Sequence, residues 1–484
     1  MLMLATAALL GGIRSETERL KNLILSSAAD VPADAEVYYI SPNGDDSADG
    51  RSPAGAWRTP GAAEAHGVGN GRGRAYVLFE RGGLWRGGFR AHGGVTYSAY
   101  GSGEKPRFYG SALDGAADGA WERVSEKVWR FSEPVRYDCG SIVLDGKTHA
   151  KKLTIHYEGA AAKDHRTGCV FRGTESLFED MTFWHDLGGR VMLSDEELLS
   201  GETGAGHLYF CSETDPSERF SEIEFLTRKN VIEVCGDNVC IDNLTIMYGG
   251  AHGIGAASSG GKPVKGLSVT NCVIAHIGGS VQFYAEGRPV RFGNGVEIWG
   301  SCEDDLIERC YIYDVYDAGV THQYERGGEP VLMKNVAYRD NLIQNCTYAI
   351  EYFLGKAEGG AARSMENILI SGNMLQGAGF GFGRERPDKE TPALIKSWDC
   401  FNRTAGDGMI IRGNTLWGST ERLIHICADR KEWLPVLRGN TFLQKVGGLL
   451  GKYGANPCSD EIFDAEASRR DDYSGNDFYG ISGD

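Results

Sequence analysis

Three acidic residues in short apolar segments have the types and spacing for acid–base chemistry: Glu297 in GVEIW, Asp317 in DAGVTHQ and Glu351 in AIEY. Along an extended strand, successive side chains point to opposite faces. If Val296, Val320 and Ile350 face a core, then Glu297, Asp317, Thr321 and Glu351 face away from it. Aligned on those apolar residues, Glu297, Thr321 and Glu351 follow one another at 24 and 30 residues, each the length of one coil of a repeating structure. Coils stack about 4.8 Å apart, which puts Glu297 and Glu351 about 9–10 Å apart at Cα, with Asp317 beside the middle coil. Two carboxyls about 6.5–9.5 Å apart suit an inverting glycosidase, and about 5–5.5 Å a retaining one. The glutamate pair fits the first spacing, and either glutamate with Asp317 fits the second. Hydrolysis needs one protonated carboxyl for the leaving oxygen and one ionised carboxyl for water or the anomeric carbon.

The residues around this set could hold a sugar. Trp299 shares the outward parity of Glu297 and offers a stacking face, and Gln323 shares that of Asp317. His322 has inward parity unless its strand ends there, so it reads either as a core histidine or as a groove residue. His425, in LIHIC, points outward and lines the same groove further along. The loop GAGFGFGRERPDKE (377–390) lacks the GKS or GKT of a phosphate loop. Its Arg384 and Arg386 could hold a carboxylate or sugar hydroxyls, as could Arg288 and Arg291 between Gly279 and Asn294. Asp304 and Asp305 read as a turn at a strand start rather than a calcium site. No ligand cluster with metal spacing is present, so neither metal nor cofactor is expected.

Positioning such residues requires a repeating scaffold, and the repeats are visible. The segments IDNLTI (241–246), VTNCVI (269–274), ERCYI (308–312), RDNLI (339–343), SGNML (371–375), RGNTL (412–416) and RGNTF (438–442) align on their final apolar residues. Asn341, Asn373, Asn414 and Asn440 fall in one register, as a stacked asparagine ladder would. An antiparallel sandwich would also be glycine-rich, but fixed-register asparagine over successive coils is hard to obtain that way. The pattern predicts an all-β fold, a right-handed parallel β-helix carrying a small inserted β-rich domain. Residues 1–36 read as an N-terminal segment and a helix, with Ser15 and Glu18 as a capping box, covering the open first coil. Residues 37–111 are the first coils, 112–228 a sandwich-like insertion without the asparagine register, 229–450 the main β-helix with its groove, and 451–484 a C-terminal cap or tail.

Composition bounds the partners. The chain of 484 residues has a formal net charge of −16 and a pI near 5.3, so no basic field exists to recruit nucleic acid. No apolar run reaches the 18 or so residues that would span a membrane. The 12 cysteines form no CxxC pair and several sit among apolar strand residues. Unpaired buried thiols fit a reducing compartment, hence a cytoplasmic location; a secreted one is the alternative, since MLMLATAALLGG is apolar but lacks a positive n-region. Oligomeric state is not written in any of these features.

The stretches YYISPNGDDSADGRSP, YGSGEKP and NVCIDNLTIMYGGAHGIG resemble the pectate-lyase-like superfamily of β-helical carbohydrate-active proteins. NGVEIWGSCEDDLIERCYIYDVYDAGVTHQ (294–323) and NCTYAIEYF (345–353) look like a bacterial right-handed β-helix group related to β-helical glycoside hydrolases. The resemblance implies a β-helix and an oligosaccharide or polysaccharide substrate, but this fold hosts hydrolases, lyases, epimerases and tailspikes alike. The RxPxxR motif of main-type pectate lyases is missing, and of the polygalacturonase motifs only a loose His252–Gly253 remains. The expected activity is therefore glycoside hydrolysis of a plant or host glycan, with a polysaccharide lyase or uronate epimerase, and a non-catalytic carbohydrate-binding solenoid, as alternatives.

Overall fold

In the computed structural model the chain winds as a parallel β-helix. The structure describes residues 2–69, 74–190, 193–194, 196–197, 205–325, 327–385, 391–397, 408–445, 448–455 and 475–481. Three long sheets of ten, ten and nine strands run the length of the solenoid, and every pairing within them is parallel. One coil takes a strand from each sheet in turn. Cys240–Asp242, Thr245–Met247 and Ile254–Ala257 form one coil; Ser268–Thr270, Val273–Ile277 and Val296–Trp299 stack on them in the next. Parallel neighbours need a crossover between them, and here the other two sheets of the coil supply it.

Alternation along each short strand sends one row of side chains inward. Ile246, Ile274, Ile312, Ile343, Leu375, Leu416 and Phe442, the residues aligned from the repeats, stack directly over one another in the second sheet and are fully buried. Val296, Val320, Ile350, Ile395 and Ile424 do the same in the third. Each such residue is worth about 1.5–3 kcal/mol of burial, so the stacked rows are the chief cohesive term.

The corner between the first and second sheets is made by residues in the left-handed backbone region: Asn243, Asn271, Arg309, Asp340, Gly372, Gly413 and Gly439 in successive coils. The residue after each of these points inward, and from Asn341 onward it is asparagine. Asn373 Oδ1 accepts from both the backbone and side-chain N–H of Asn341, Asn414 Oδ1 does the same for Asn373, and Asn440 Oδ1 for Asn414. The ladder ends one coil later than the repeats suggest, at Asn476. There the C-terminal chain returns as Asp477–Ile481 and pairs with Thr441–Lys445.

The N-terminal helix does not cover the first coil. Leu2–Ser26 lies along the outer flank of the second sheet, where Ile13, Leu20 and Ile24 pack on Val273, Tyr311, Leu342, Met374 and Leu443. Thr17 meets Gln376, which donates to its hydroxyl at 2.7 Å, and Ser27 reaches Asn243. Its 25 residues span about 37 Å, the height of about eight coils. The reason is that the outward residues of this sheet are themselves apolar, so the flank needs cover. The open first coil is closed instead by Trp57, stacked on Tyr38, and by the short helix Pro60–Ala65, whose Ala62 and Ala63 enter the main core.

Between Arg107–Tyr109 and Ile232–Cys235 the chain leaves the solenoid and folds on its own core of Trp121, Phe131, Ile142, Phe183, Phe210 and Phe225. It is tied to the solenoid by buried charge. Lys152 pairs with Asp138 at 2.5 Å, Asp138 accepts from Val281 N–H, and Arg86 pairs with Glu224 at 2.7 Å. Arg291 donates to the carbonyls of Gly279 and Gly140, so it acts as a buried strut rather than as the exposed loop arginine its sequence context suggests. Among the described residues ten cysteines are free, and no helix is long and apolar enough to cross a membrane.

Candidate functional site

The third sheet carries the acidic residues. Its register aligns Gly255, Glu297, Thr321, Glu351, Lys396, His425 and Lys452 in one outward row, one residue per coil. Glu297 and Glu351 are therefore two coil steps apart, about 9–10 Å at Cα. Although they point away from the solenoid core, both are covered, at 6% and 5% exposure.

The two glutamates have different surroundings. Glu297 accepts from the Asn294 side-chain amide on one oxygen and from Gln323 Nε2, at 3.3 Å, on the other. Thr321 orients Gln323 by donating to its amide oxygen at 3.1 Å. Asn294 joins two coils, since its side-chain oxygen accepts from Ala318 N–H at 2.8 Å. His252 Nδ1 lies 3.2 Å from Glu297 Oε2 and also accepts from Asn294 N–H at 3.1 Å. Glu351 instead faces an ammonium: Lys396 Nζ is 3.6 Å from its Oε1 and 3.9 Å from the centre of the Tyr348 ring. A buried ion pair of this kind holds charge in place more than it adds stability. One carboxyl is thus held by two side-chain amides, and the other stands against a fixed cation.

The remaining expected residues divide. Gln323 belongs to this network, and His425 stands in the row two coils beyond Glu351. Trp299 ends its strand half-buried, its ring 5.4 Å from that of Tyr324. His322 is a correction. Its strand runs on to Tyr324, so alternation holds the ring inside the core, where it is bonded to the Tyr338 hydroxyl at 2.9 Å and stacked on Tyr352. Burial lowers its pKa to about 3, so it is a neutral core residue and not a sugar ligand. Asp317 is displaced from the position expected of it. It stands at the corner before its strand, four residues ahead of Thr321, with its N–H on the Gly293 carbonyl, and not level with the glutamates. Arg384 lies in a separate cleft against the inserted domain, described below. Arg386 falls outside the described residues.

The sequence reading missed Lys396, Tyr348 and Asn294, and gave His252 little weight. Lys396 was within reach, because ALIKS repeats the alternation of AIEYF one coil on. Asn294 and His252 sit at corners, where no periodicity announces a side chain's direction. Among the described residues no group of three or more His, Cys, Asp or Glu could hold a metal ion.

No family model matches the chain, and no curated protein matches it. Among solved structures it is similar to a complex of XylC with xylose, at 11% identity and a TM-score of 0.41, covering 84% of this chain and 69% of that one. It is similar to a lacto-N-biosidase of group GH136 from Eubacterium ramulus, at 11% identity and a TM-score of 0.38, covering 92% and 68%. It is also similar to a protein described as a glycoside hydrolase, at 11% identity and a TM-score of 0.39, covering 92% of this chain and 96% of that one.

Proposed function

We propose that this chain is a glycoside hydrolase that cleaves an oligosaccharide of a plant or host glycan on the outer face of the third sheet. The observation that carries the reading is the placement of Glu297 and Glu351 in one row, two coils apart, with unlike neighbours. Glu297 is the general acid: Asn294 and Gln323 fix its carboxyl, and it delivers a proton to the leaving glycosidic oxygen. Glu351, beside Lys396, is the base that takes a proton from water as the water attacks the anomeric carbon from the opposite side. Two coil steps between the glutamates leave room for that water, the arrangement of an inverting enzyme, whose carboxyls stand about 6.5–9.5 Å apart. Asp317 stands at the corner before its strand, and Trp299, Gln323 and His425 are placed around the sugar.

The test is a screen of nitrophenyl glycosides and oligosaccharides with the parent and with Glu297→Gln, Glu351→Gln and Asp317→Asn. Turnover lost by about 10²–10⁴-fold in both glutamate variants supports the pair. Loss in Asp317→Asn with either glutamate variant unaffected reassigns the chemistry to the corner. Proton NMR of the first-formed anomer separates inversion from retention. A second reading, a uronate lyase or epimerase, draws on Lys396, a cation in the same row that could neutralise a uronate carboxylate. An unsaturated product absorbing in the ultraviolet would establish the lyase.

A further inference from the structure

A second concave site lies where the inserted domain meets the solenoid, with a cavity volume of 290 Å³, near the lower limit of small-molecule sites at about 300 Å³. One wall is the strand Thr148–His149 with Lys147 before it. The other is the corner carrying Asp314 and Tyr316, closed by the turn at 380–384. In a chain of net charge −16, this cleft is lined by five cations, Lys147, Lys151, Lys152, Arg291 and Arg384, against a single carboxylate, Asp314.

Three of those cations are already engaged. Lys152 is paired with Asp138 and Lys151 with Glu179, while Arg291 donates to backbone carbonyls. Lys147 and Arg384 form no ion pair among the described residues, and both line the cavity. Asp314, its pKa raised to about 6 by burial, is the one carboxylate among the lining residues. Aromatic surface completes the site: Phe382 stacks on His149 at 3.8 Å between centroids, and Phe380 stands 57% exposed at the same cleft. A planar guanidinium and an ammonium in one cleft with an exposed aromatic ring match an anionic oxygen group carried on a sugar ring.

We propose that this cleft binds an acidic sugar, its carboxylate or sulfate taken by Arg384 and Lys147 and its ring laid on Phe380. The site shares no residue with the glutamate row, so its test does not depend on hydrolysis. Calorimetric titration of the full chain would use a glucuronic acid disaccharide, a sulfated disaccharide and the neutral disaccharide of the same linkage. Binding of an acidic probe at least tenfold tighter than the neutral one, and weakened by added salt, is expected. A tighter carboxylated or a tighter sulfated probe both support the site and name its substituent. Arg384→Gln and Lys147→Gln, both surface changes, should each weaken the preferred probe at least fivefold. Asp314→Asn, which removes the one carboxylate lining the cleft and suits the left-handed backbone there, should tighten it. Equal affinity for acidic and neutral probes, no binding of any, or affinity unmoved by both cation variants would overturn the proposal.

Discussion

Replacing Asn373 by leucine removes the middle rung of the asparagine ladder while nearly preserving volume, and the cost follows from the bonds around it. Asn373 Oδ1 accepts from Asn341 N–H and Asn341 Nδ2, both at 3.0 Å, and Asn373 Nδ2 donates to the Tyr338 carbonyl and to Asn414 Oδ1, both at 2.9 Å. The side chain is inaccessible to water. Two of its partners keep a second bond: Asn341 Nδ2 still reaches the Ile307 carbonyl, and Asn414 Oδ1 still accepts from Asn373 N–H. The Tyr338 carbonyl keeps its place in the parallel ladder with Ile368–Ser371, so the Asn341 backbone N–H is the group left without a partner. At about 1–3 kcal/mol for a buried orphan, the substitution should cost about 1–3 kcal/mol. Asn476→Leu, at the end of the ladder where the site is only part-buried and water can substitute, should cost about 1 kcal/mol or less. Urea unfolding followed by circular dichroism compares the two. Hydrogen exchange of peptides covering Cys310 and Asn341 should show the loss localised to the coils above and below. An Asn373→Leu midpoint no lower than that of Asn476→Leu would refute the view that cross-coil amide bonding holds these corners.

Asp305 is buried, with Oδ1 accepting from Leu267 N–H at 2.7 Å, and desolvation raises its pKa to about 8. The unfolded chain gives up this proton near pH 4, so stability should fall on the order of 3–5 kcal/mol as pH rises from about 4 to about 8; Asp305→Asn should flatten that slope in urea titrations across the range. His322 shows the opposite sense: the unfolded ring takes up a proton near pH 6.5 and the folded one only near 3, so its contribution to stability is lost as pH falls through that window. His322→Phe should remove this acid sensitivity, cost about 1–2 kcal/mol at neutral pH by stranding the Tyr338 hydroxyl, and leave KM for any hydrolysed glycoside unchanged. Deleting residues 2–26 uncovers Val273, Tyr311, Leu342, Met374 and Leu443, and should shift the chain to larger species than the parent on size-exclusion chromatography.

The row of Glu297, Thr321 and Glu351 was legible because two local facts suffice for it. Strand alternation has a period of two, and Val296, Val320 and Ile350 are unambiguous core residues, so parity and register follow without knowledge of the rest of the chain. The same rule, carried through to the end of its strand, turns His322 inward; the expectation of a groove histidine required the strand to stop two residues early. Asp317 stands before its strand begins, where alternation no longer constrains a side chain. Arg384 illustrates the other limit. Its residue type suggested an anion ligand, but nothing local says that residues 140–152 of the inserted domain would form the opposite wall.

What the sequence determined by itself is whatever repeats: the parallel β-helix, the inward rows, the asparagine ladder and the alignment of two glutamates on one outer face. Repetition makes each coil a check on its neighbours, so a short-range pattern is enough. Only the tertiary structure decided what stands opposite each repeat: Lys396 against Glu351, Asn294 and His252 around Glu297, the helix along the second sheet, and the cationic cleft between two parts of the chain. Those contacts join residues through corners, loops and an insertion, where backbone direction is set by packing with distant segments and no period in the sequence records it.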